Sequence, residues 1–462
     1  MNHLSVISPV DSQVYVERPY ADAARIANAL EKASQATSLW RGWSIQQRSE
    51  LVNRAVDIFI SMEAELSLEL TWQMGRPIRF APGEIAGFEE RARHMAAIAP
   101  EALHPIRPEP KDGFNRFIRR DPVGQVLVIA PWNYPYLTAV NVVVPALLSG
   151  NTVILKHSAQ TPLCAERFVQ VFTEAGIPEG VFQFLHLDHA STEKLIAAPE
   201  IGFVAFTGSV PGGEMVERCT TGLFKGVGLE LGGKDPAYVR ADADLPHAIE
   251  TVVDGAFFNS GQSCCGIERV YVDESVFDEF VAGAVKAVSA YVLGSPDDPQ
   301  TTLGPLVKSS AADFVRTQVA QAVASGAKAH IDPASFIKDA PGTPYLAPQL
   351  LTQVDHSMQV MTEESFGPVA GIQAVTGDDE AVRLMNDSAY GLTAAVFTQD
   401  ENAALEIGAR VQTGTWFMNR CDYLDPALAW TGVKHSGRGC TLSSVGFEQL
   451  TRPKSFHLKT KI

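Results

Sequence analysis

Cysteine is scarce in this chain. Only Cys164, Cys219, Cys264, Cys265, Cys421 and Cys440 occur in 462 residues, and no two have the C-x-x-C spacing. A disulfide-stapled secreted scaffold and the common zinc sites are therefore excluded, and a reduced, cytoplasmic protein is expected. No H-x-x-x-H pair occurs, so no metal is expected. Positive charge is also short. The 37 Lys and Arg face 53 Asp and Glu, for a formal net charge of −16. That argues against nucleic acid or an anionic membrane as a partner held by bulk electrostatics, though not against a local basic pocket. Long apolar runs are missing too. The most apolar windows, 123–130 and 139–148, fall far short of the roughly 18 residues that span a bilayer. The stretch 1–15 has no basic segment and no apolar run, so no secretory leader is expected. Repeats and low-complexity segments are absent as well.

What is present is an ordinary globular composition, 46% hydrophobic and 19% charged. The length suggests about three folded units. The first hundred residues read mostly as helix. They include Ala23–Trp40 and a run from Leu51 to Met74, preceded by the capping box Ser44–Gln47 and stopped by Gly75. Phe88–Ala99 reads as a further helix. Pro105–Pro110 is a spacer, and Phe114–Arg120 alternates like a strand with one wet face. From Val123 the rhythm changes to short apolar strands alternating with helices, which predicts βαβ units and a parallel sheet. A second alternating series begins near Asp235. The tail, Lys454–Ile462, again alternates like an edge strand. In parallel sheets, ligands bind beyond the carboxyl ends of the strands. Pro131–Pro135, Lys156, Thr207–Ser209 and Glu230–Lys234 all fall there.

One stretch stands apart. Asn259-Ser-Gly-Gln-Ser-Cys-Cys-Gly266 is a run of small and polar residues between a predicted helix, Pro246–Phe258, and a predicted strand, Ile267–Val272. A thiol on such a turn can be exposed and aimed, although a cysteine taken alone is more often core. Glu230 ends an otherwise apolar strand. Burial there would raise its pKa and make it a usable base, or it could be a paired structural carboxylate. The Asn133 amide, among prolines and aromatics, can donate to an oxyanion or close a turn. Gly208-Ser209-Val-Pro-Gly-Gly213 opens a helix after a strand, where free backbone N–H groups can hold a pyrophosphate. Lys156 can reach a phosphate or ribose, or simply be solvated.

Taken together, the motifs resemble the aldehyde dehydrogenase superfamily over nearly the whole chain. They are Pro131-Trp-Asn-Tyr-Pro135, Leu155-Lys156 with Gln160-Thr-Pro162, Phe206-Thr-Gly-Ser209, Leu229-Glu-Leu-Gly-Gly-Lys234 and Gly261-Gln-Ser-Cys264 with Arg269. Glu363-Glu-Ser-Phe-Gly-Pro368, Asn386 with Tyr390-Gly-Leu392, Asn419, and Gly432-Val-Lys434 with Ser436-Gly437 complete the series. The resemblance implies an α/β fold in three parts. These are a Rossmann-type nucleotide-binding domain (1–103 and 124–232), an α/β catalytic domain (233–432) and a small β oligomerisation arm (104–123 and 433–462). It implies NAD or NADP as cofactor, a small-molecule aldehyde as substrate, and a homodimer or homotetramer. Cys264 would attack the aldehyde and Asn133 would hold the oxyanion. After hydride transfer, Glu230 would activate water to hydrolyse the thioester. Trp132, Lys156, Gly208, Ser209, Gly213, Glu364 and Phe366 would bind the cofactor. Cys265 would only pack beside the site, and Glu268 is expected to form a local ion pair.

Two departures bear on specificity. Lys156-His-Ser-Ala159 replaces a common Lys-Pro-Ser-Glu, removing the carboxylate that would repel a 2′-phosphate, so NADP should be accepted. Ala429-Trp-Thr-Gly432 replaces a common Pro-Phe-Gly-Gly near the substrate tunnel. Tyr136, Leu137 and Asn141 are expected to line that tunnel, together with Arg420, Asp422, Tyr423 and Asp425. Arg420 either holds a substrate carboxylate or pairs with a nearby aspartate. Competing readings are a CoA-acylating relative, an inactive structural homologue and a cysteine hydrolase without redox chemistry. Glu230 argues against the first, since acylating members generally lack that carboxylate. The set Asn133, Glu230 and Cys264 argues against the second. Lys156, Ser209 and Glu364 argue against the third.

Overall fold

The computed structural model describes residues 3–462, so Met1 and Asn2, at the start of the stretch without leader features, lie outside the described residues. Two mostly parallel sheets organise the chain, as the alternation of strand and helix predicts. The first has six strands in the order Gly437–Arg438, Gly226–Glu230, Ile201–Thr207, Gln125–Ala130, Thr152–His157, Phe182–Phe184. All run parallel except Gly437–Arg438, which comes from near the C-terminus and pairs antiparallel with Gly226–Glu230. Gln125–Ala130 is buried at every position. That is why it reads as a continuous apolar run rather than an alternating one.

The N-terminal helices cover one face of this sheet. Ala23–Gly42, Ile45–Ser61, Glu63–Met74 and Pro82–Ala102 pack with Pro135–Leu148 and Pro162–Glu174 around Trp40, Phe59, Phe88 and Phe168. The capping box at Ser44 forms as predicted, and Gly75 caps its helix at φ 85°. The predicted run from Leu51 to Met74 is two helices rather than one, broken at Met62. A hairpin, His3–Ile7 with Val14–Pro19, precedes the helices, in a region whose sequence reads as helical. Its inward residues Leu4, Val6 and Val16 form a small separate core with Leu163.

The second sheet has seven strands, in the order Lys328–Ala329, Gln349–Thr352, Val369–Val375, Ile267–Asp273, Asp235–Val239, Thr393–Phe397, Thr415–Met418. Helices cover both faces, giving two apolar layers, one around Phe257 and Phe280 and one around Tyr271 and Met361. Outside both sheets, Phe114–Pro122 and Thr451–Lys459 pair antiparallel over nine residues. Phe117 stacks on Phe456 across this ribbon, with ring centroids 4.6 Å apart. The chain passes from the first sheet to the second through Leu231–Lys234, directly after Glu230, and the site lies at this junction.

Candidate active site

The turn that carries the thiol is built from three consecutive residues with positive φ: Asn259 (53°), Ser260 (57°) and Gly261 (72°). Left-handed backbone at two non-glycine residues costs about 1–3 kcal/mol each and persists only when the surroundings enforce it. Here they do. Ser260 Oγ donates to the Gly304 carbonyl at 2.9 Å, and Gln262 Oε1 accepts from Val307 N at 2.8 Å. Asn259 Nδ2 donates to the carbonyls of Asn133 and Gln262, both at 3.2 Å. Arg76 ties the helical layer to the same knot. It pairs with Glu84 and donates to Asn259 Oδ1 at 3.2 Å and to the Asn133 carbonyl at 2.5 Å. Glycine is required at Gly261 for a second reason: a Cβ there would strike the Gly367 backbone.

Behind this turn Cys264 is half-buried and faces a cavity of about 580 Å³, a size suited to a small ligand. Glu230, from the other sheet, lines the same cavity. So do Phe80, Tyr134, Leu137, Phe258, Asp422 and Trp430. The predicted nucleophile and the predicted base therefore share one space, although 34 residues separate them in sequence.

Burial raises the Glu230 pKa, opposed by hydroxyls from Thr441 and Thr207 and by the charge of Arg91. Its Oε1 accepts from Thr441 Oγ at 2.6 Å and its Oε2 from Thr207 Oγ at 3.1 Å. Asn133 is buried and is not among the cavity-lining side chains. Its amide donates to the Gln262 carbonyl at 3.1 Å, two residues before Cys264, which leaves its second N–H available. Cys265 is buried, and its Sγ donates to Asp422 Oδ1 at 2.9 Å. The hydrogen bond with Cys264, burial and the Asp422 charge push the Cys265 thiol well up, so it resists forming a thiolate. Ser263 Oγ donates to the same Asp422 oxygen at 3.2 Å.

The predicted cofactor residues emerge from the carboxyl ends of neighbouring strands in the first sheet. Trp132 follows Gln125–Ala130, Lys156 lies near the end of Thr152–His157, and Gly208-Ser209 follows Ile201–Thr207. Ser209 caps the eleven-residue helix Val210–Thr220 by accepting from Gly212 N. The Phe206 ring lies so close to Gly208 and Gly212 that a Cβ at either would collide with it, and a Cβ at Gly213 would meet Leu231. Burial lowers Lys156 to about 8. Glu364 accepts from Gly233 N at 2.9 Å, and burial first, then Glu268, raises it to about 7. The Phe366 ring meets Trp132 edge-on at 5.7 Å. The loop bearing Glu364 and Phe366 is held from behind by Glu268, which accepts from Ser365 N at 2.8 Å and Phe366 N at 2.9 Å and pairs with buried Lys234. The expected ion pair at Glu268 is present. These residues can cradle a dinucleotide, with the N-terminus of helix Val210–Thr220 and a cation toward its phosphates and a carboxylate toward a ribose.

Several pocket expectations need correction. Tyr136 does not line the cavity. Its helical phase turns it into the core, against Phe59 and Phe168. Arg420 does neither of the things expected of it. It is exposed, absent from the lining, and its guanidinium lies 3.6 Å from the centre of the Tyr423 ring. Asp425 is exposed and caps its own turn through Ala427 N. Leu137, Asn141, Asp422 and Tyr423 do line the cavity. Arg76, Arg91 and Thr441 belong to no motif that the sequence reveals. Thr207 lies within one, but nothing local marks its hydroxyl. All four act through partners distant in sequence.

Residues 1–456 match the model of the aldehyde dehydrogenase family. The chain is similar to the NADP(+) succinate-semialdehyde dehydrogenase of Deinococcus radiodurans, with 34% identity over 450 residues, covering 97% of this chain and 94% of that protein. It is similar to the NAD(P)+ succinate semialdehyde dehydrogenase of Escherichia coli, with 33% identity over 447 residues, covering 97% and 96%. The solved succinic semialdehyde dehydrogenase of Streptococcus pyogenes, in complex with NADP+, superposes with a TM-score of 0.94 at 28% identity, covering 99% of this chain and 100% of that one.

Proposed function

This chain belongs to the aldehyde dehydrogenase family, and from that premise we propose that it oxidises an aldehyde to its carboxylic acid with Cys264 as nucleophile and Glu230 as hydrolytic base. The observation that carries the reading is the shared cavity, lined both by Cys264, on the turn before a strand of one sheet, and by Glu230, at the end of a strand of the other. The Cys264 thiolate adds to the aldehyde carbon. The oxyanion is met by the free N–H of the Asn133 amide and by backbone N–H of the turn, donors worth about 10²–10³ in rate when one is lost. NAD or NADP, when bound, accepts the hydride. The thioester left on Cys264 is hydrolysed by water that gives its proton to Glu230, and the acid leaves. Glu230 also favours water over CoA as the acyl acceptor.

Trp132, Lys156, Gly208, Ser209, Gly213, Glu364 and Phe366 hold the cofactor in this reading. Ala159 is exposed and uncharged, which admits a 2′-phosphate and agrees with the NADP named for the relatives. Those relatives are named for succinate semialdehyde. Arg91 is the cavity-lining cation without a carboxylate partner among the described residues; its Nη1 donates to the Leu137 carbonyl and to Asn141 Oδ1. It is the group that would meet the tail of such a semialdehyde. The ribbon Phe114–Pro122 with Thr451–Lys459 serves as the arm of a homodimer or homotetramer.

The test is turnover of an aldehyde panel, succinate semialdehyde included, with each cofactor and with and without CoA. Absorbance of the reduced nicotinamide is followed. Turnover that requires CoA would overturn the hydrolytic reading, and no turnover with any aldehyde would overturn the whole.

A further inference from the structure

The carboxylate of Glu230 does not hang free in the cavity. Thr207 is its neighbour on the parallel strand beside it, and Gly437 its neighbour on the antiparallel strand at the other side. Four residues beyond Gly437, the chain brings Thr441 over the same carboxylate. Each oxygen thus receives one hydroxyl, Oε1 from Thr441 and Oε2 from Thr207. Thr441 is itself rigidly held. It is buried, and its backbone exchanges two 2.9 Å hydrogen bonds with Trp430, which lines the substrate cavity. Glu230 also lines a second, very small cavity of about 10 Å³, with Thr207, Cys440, Thr441 and Gln449 among others. Glu230 therefore lines both spaces and is docked from both flanks.

We infer that Thr207 and Thr441 are positioning residues that dock the Glu230 carboxylate and set the pH at which acyl-enzyme hydrolysis begins. This rests on Glu230 being the hydrolytic base. A hydroxyl that donates to a carboxylate favours its ionised form and lowers its pKa. Burial acts in the opposite direction at Glu230 and outweighs them, so the two threonines offset part of the burial penalty on the ionised form. The other ionisable groups facing it are Arg91 from helix Pro82–Ala102, Cys440 from the C-terminal segment, and Cys264 across the cavity. Arg438 lines the second cavity and is paired with Glu217. Of these, only Arg91 supplies an opposing charge to Glu230, and it makes no hydrogen bond to it among the described residues.

The experiment compares Thr441→Val and Thr207→Val with the parent enzyme across pH. Valine keeps the shape and removes the donor. The rate of acyl-enzyme hydrolysis is measured separately from the hydride burst. Each variant should move the rising limb of hydrolysis upward by about one pH unit and leave the burst rate unchanged. Thr441→Ser should restore the parent profile. Glu230→Gln is run alongside. If it loses hydrolysis while neither valine variant moves the limb, the inference is overturned and the role of Glu230 stands. The inference is overturned in the same way if burst and hydrolysis fall together with no pH displacement. If Glu230→Gln hydrolyses normally, both are overturned.

Discussion

Glu268→Gln removes one charge from the buried Lys234–Glu268 pair and leaves the other in place. The side chains are 1% and 5% exposed, so neither charge has water to fall back on. Removing one member of such a pair typically costs about 3–5 kcal/mol, because the remaining charge stays buried without a partner. Glutamine keeps one acceptor oxygen for the two backbone N–H groups that Glu268 serves, at Ser365 and Phe366. The dominant cost is therefore the stranded Lys234 ammonium, which among the described residues retains only the hydrogen bond to Ser365 Oγ at 3.0 Å. Burial already lowers the Lys234 pKa, and without Glu268 it falls further. The lysine then sheds its proton as pH rises, and the penalty shrinks toward high pH. Because the pair backs the loop bearing Glu364 and Phe366, cofactor KM should rise more than kcat falls. Urea unfolding at pH 7 and pH 10, with cofactor KM, measures all of this. Replacing both members together by apolar residues should cost less than the single change. A Glu268→Gln variant within about 1 kcal/mol of the parent at pH 7, the range of an exposed pair, would refute the reasoning. So would an unaltered cofactor KM.

Three further outcomes are expected. Cys264→Ala should abolish turnover while Cys265→Ala retains it at a reduced rate; the reverse in steady-state assays would give the chemistry to Cys265. Burial holds Asp422 at about 7, up from the ordinary 3.8. Its carboxyl is therefore protonated in the folded chain but ionised in the unfolded one between those values, and stability falls as pH rises through that window. Asp422→Asn should accordingly gain stability relative to the parent between pH 4 and pH 8 in urea titrations, and an equal difference at both pH values would argue against it. Ala159→Glu should cut kcat/KM for NADP about ten-fold to a hundred-fold by charge repulsion and spare NAD; an unchanged ratio would move the adenosine ribose elsewhere.

Legibility differs from element to element for physical reasons. Gln125–Ala130 and Thr152–His157 are readable because strands buried on both faces need an unbroken apolar run. The helix starting after Ser44 is readable because a capping box is a local signal. The hairpin His3–Ile7 with Val14–Pro19 is not, since its few inward residues pack on a small core that includes Leu163, far along the chain. Thr415–Met418 escapes reading at the edge of its sheet, where every residue is only half-buried. Tyr136 is misplaced by the sequence because one helical turn decides between tunnel and core, and the phase of Pro135–Leu148 is set by what packs against it. Its first turn is held by Glu84, which accepts from Tyr136 N at 2.7 Å and Leu137 N at 3.3 Å.

The Asn-Ser-Gly-Gln-Ser-Cys-Cys-Gly turn divides the two kinds of knowledge. Its composition, its place between a helix and a strand, and the ordered motifs around it pointed to the family and to Cys264 rather than Cys265 as the expected nucleophile. Those are local facts, written in neighbouring side chains. Only the tertiary structure supplied what keeps the turn strained and the Glu230 carboxylate docked. Arg76 and Asn133 reach the turn across more than a hundred residues, and Thr441 reaches Glu230 across more than two hundred. Hydrogen bonds act over about 3 Å of space whatever the distance along the chain, and that proximity exists only once both sheets have formed.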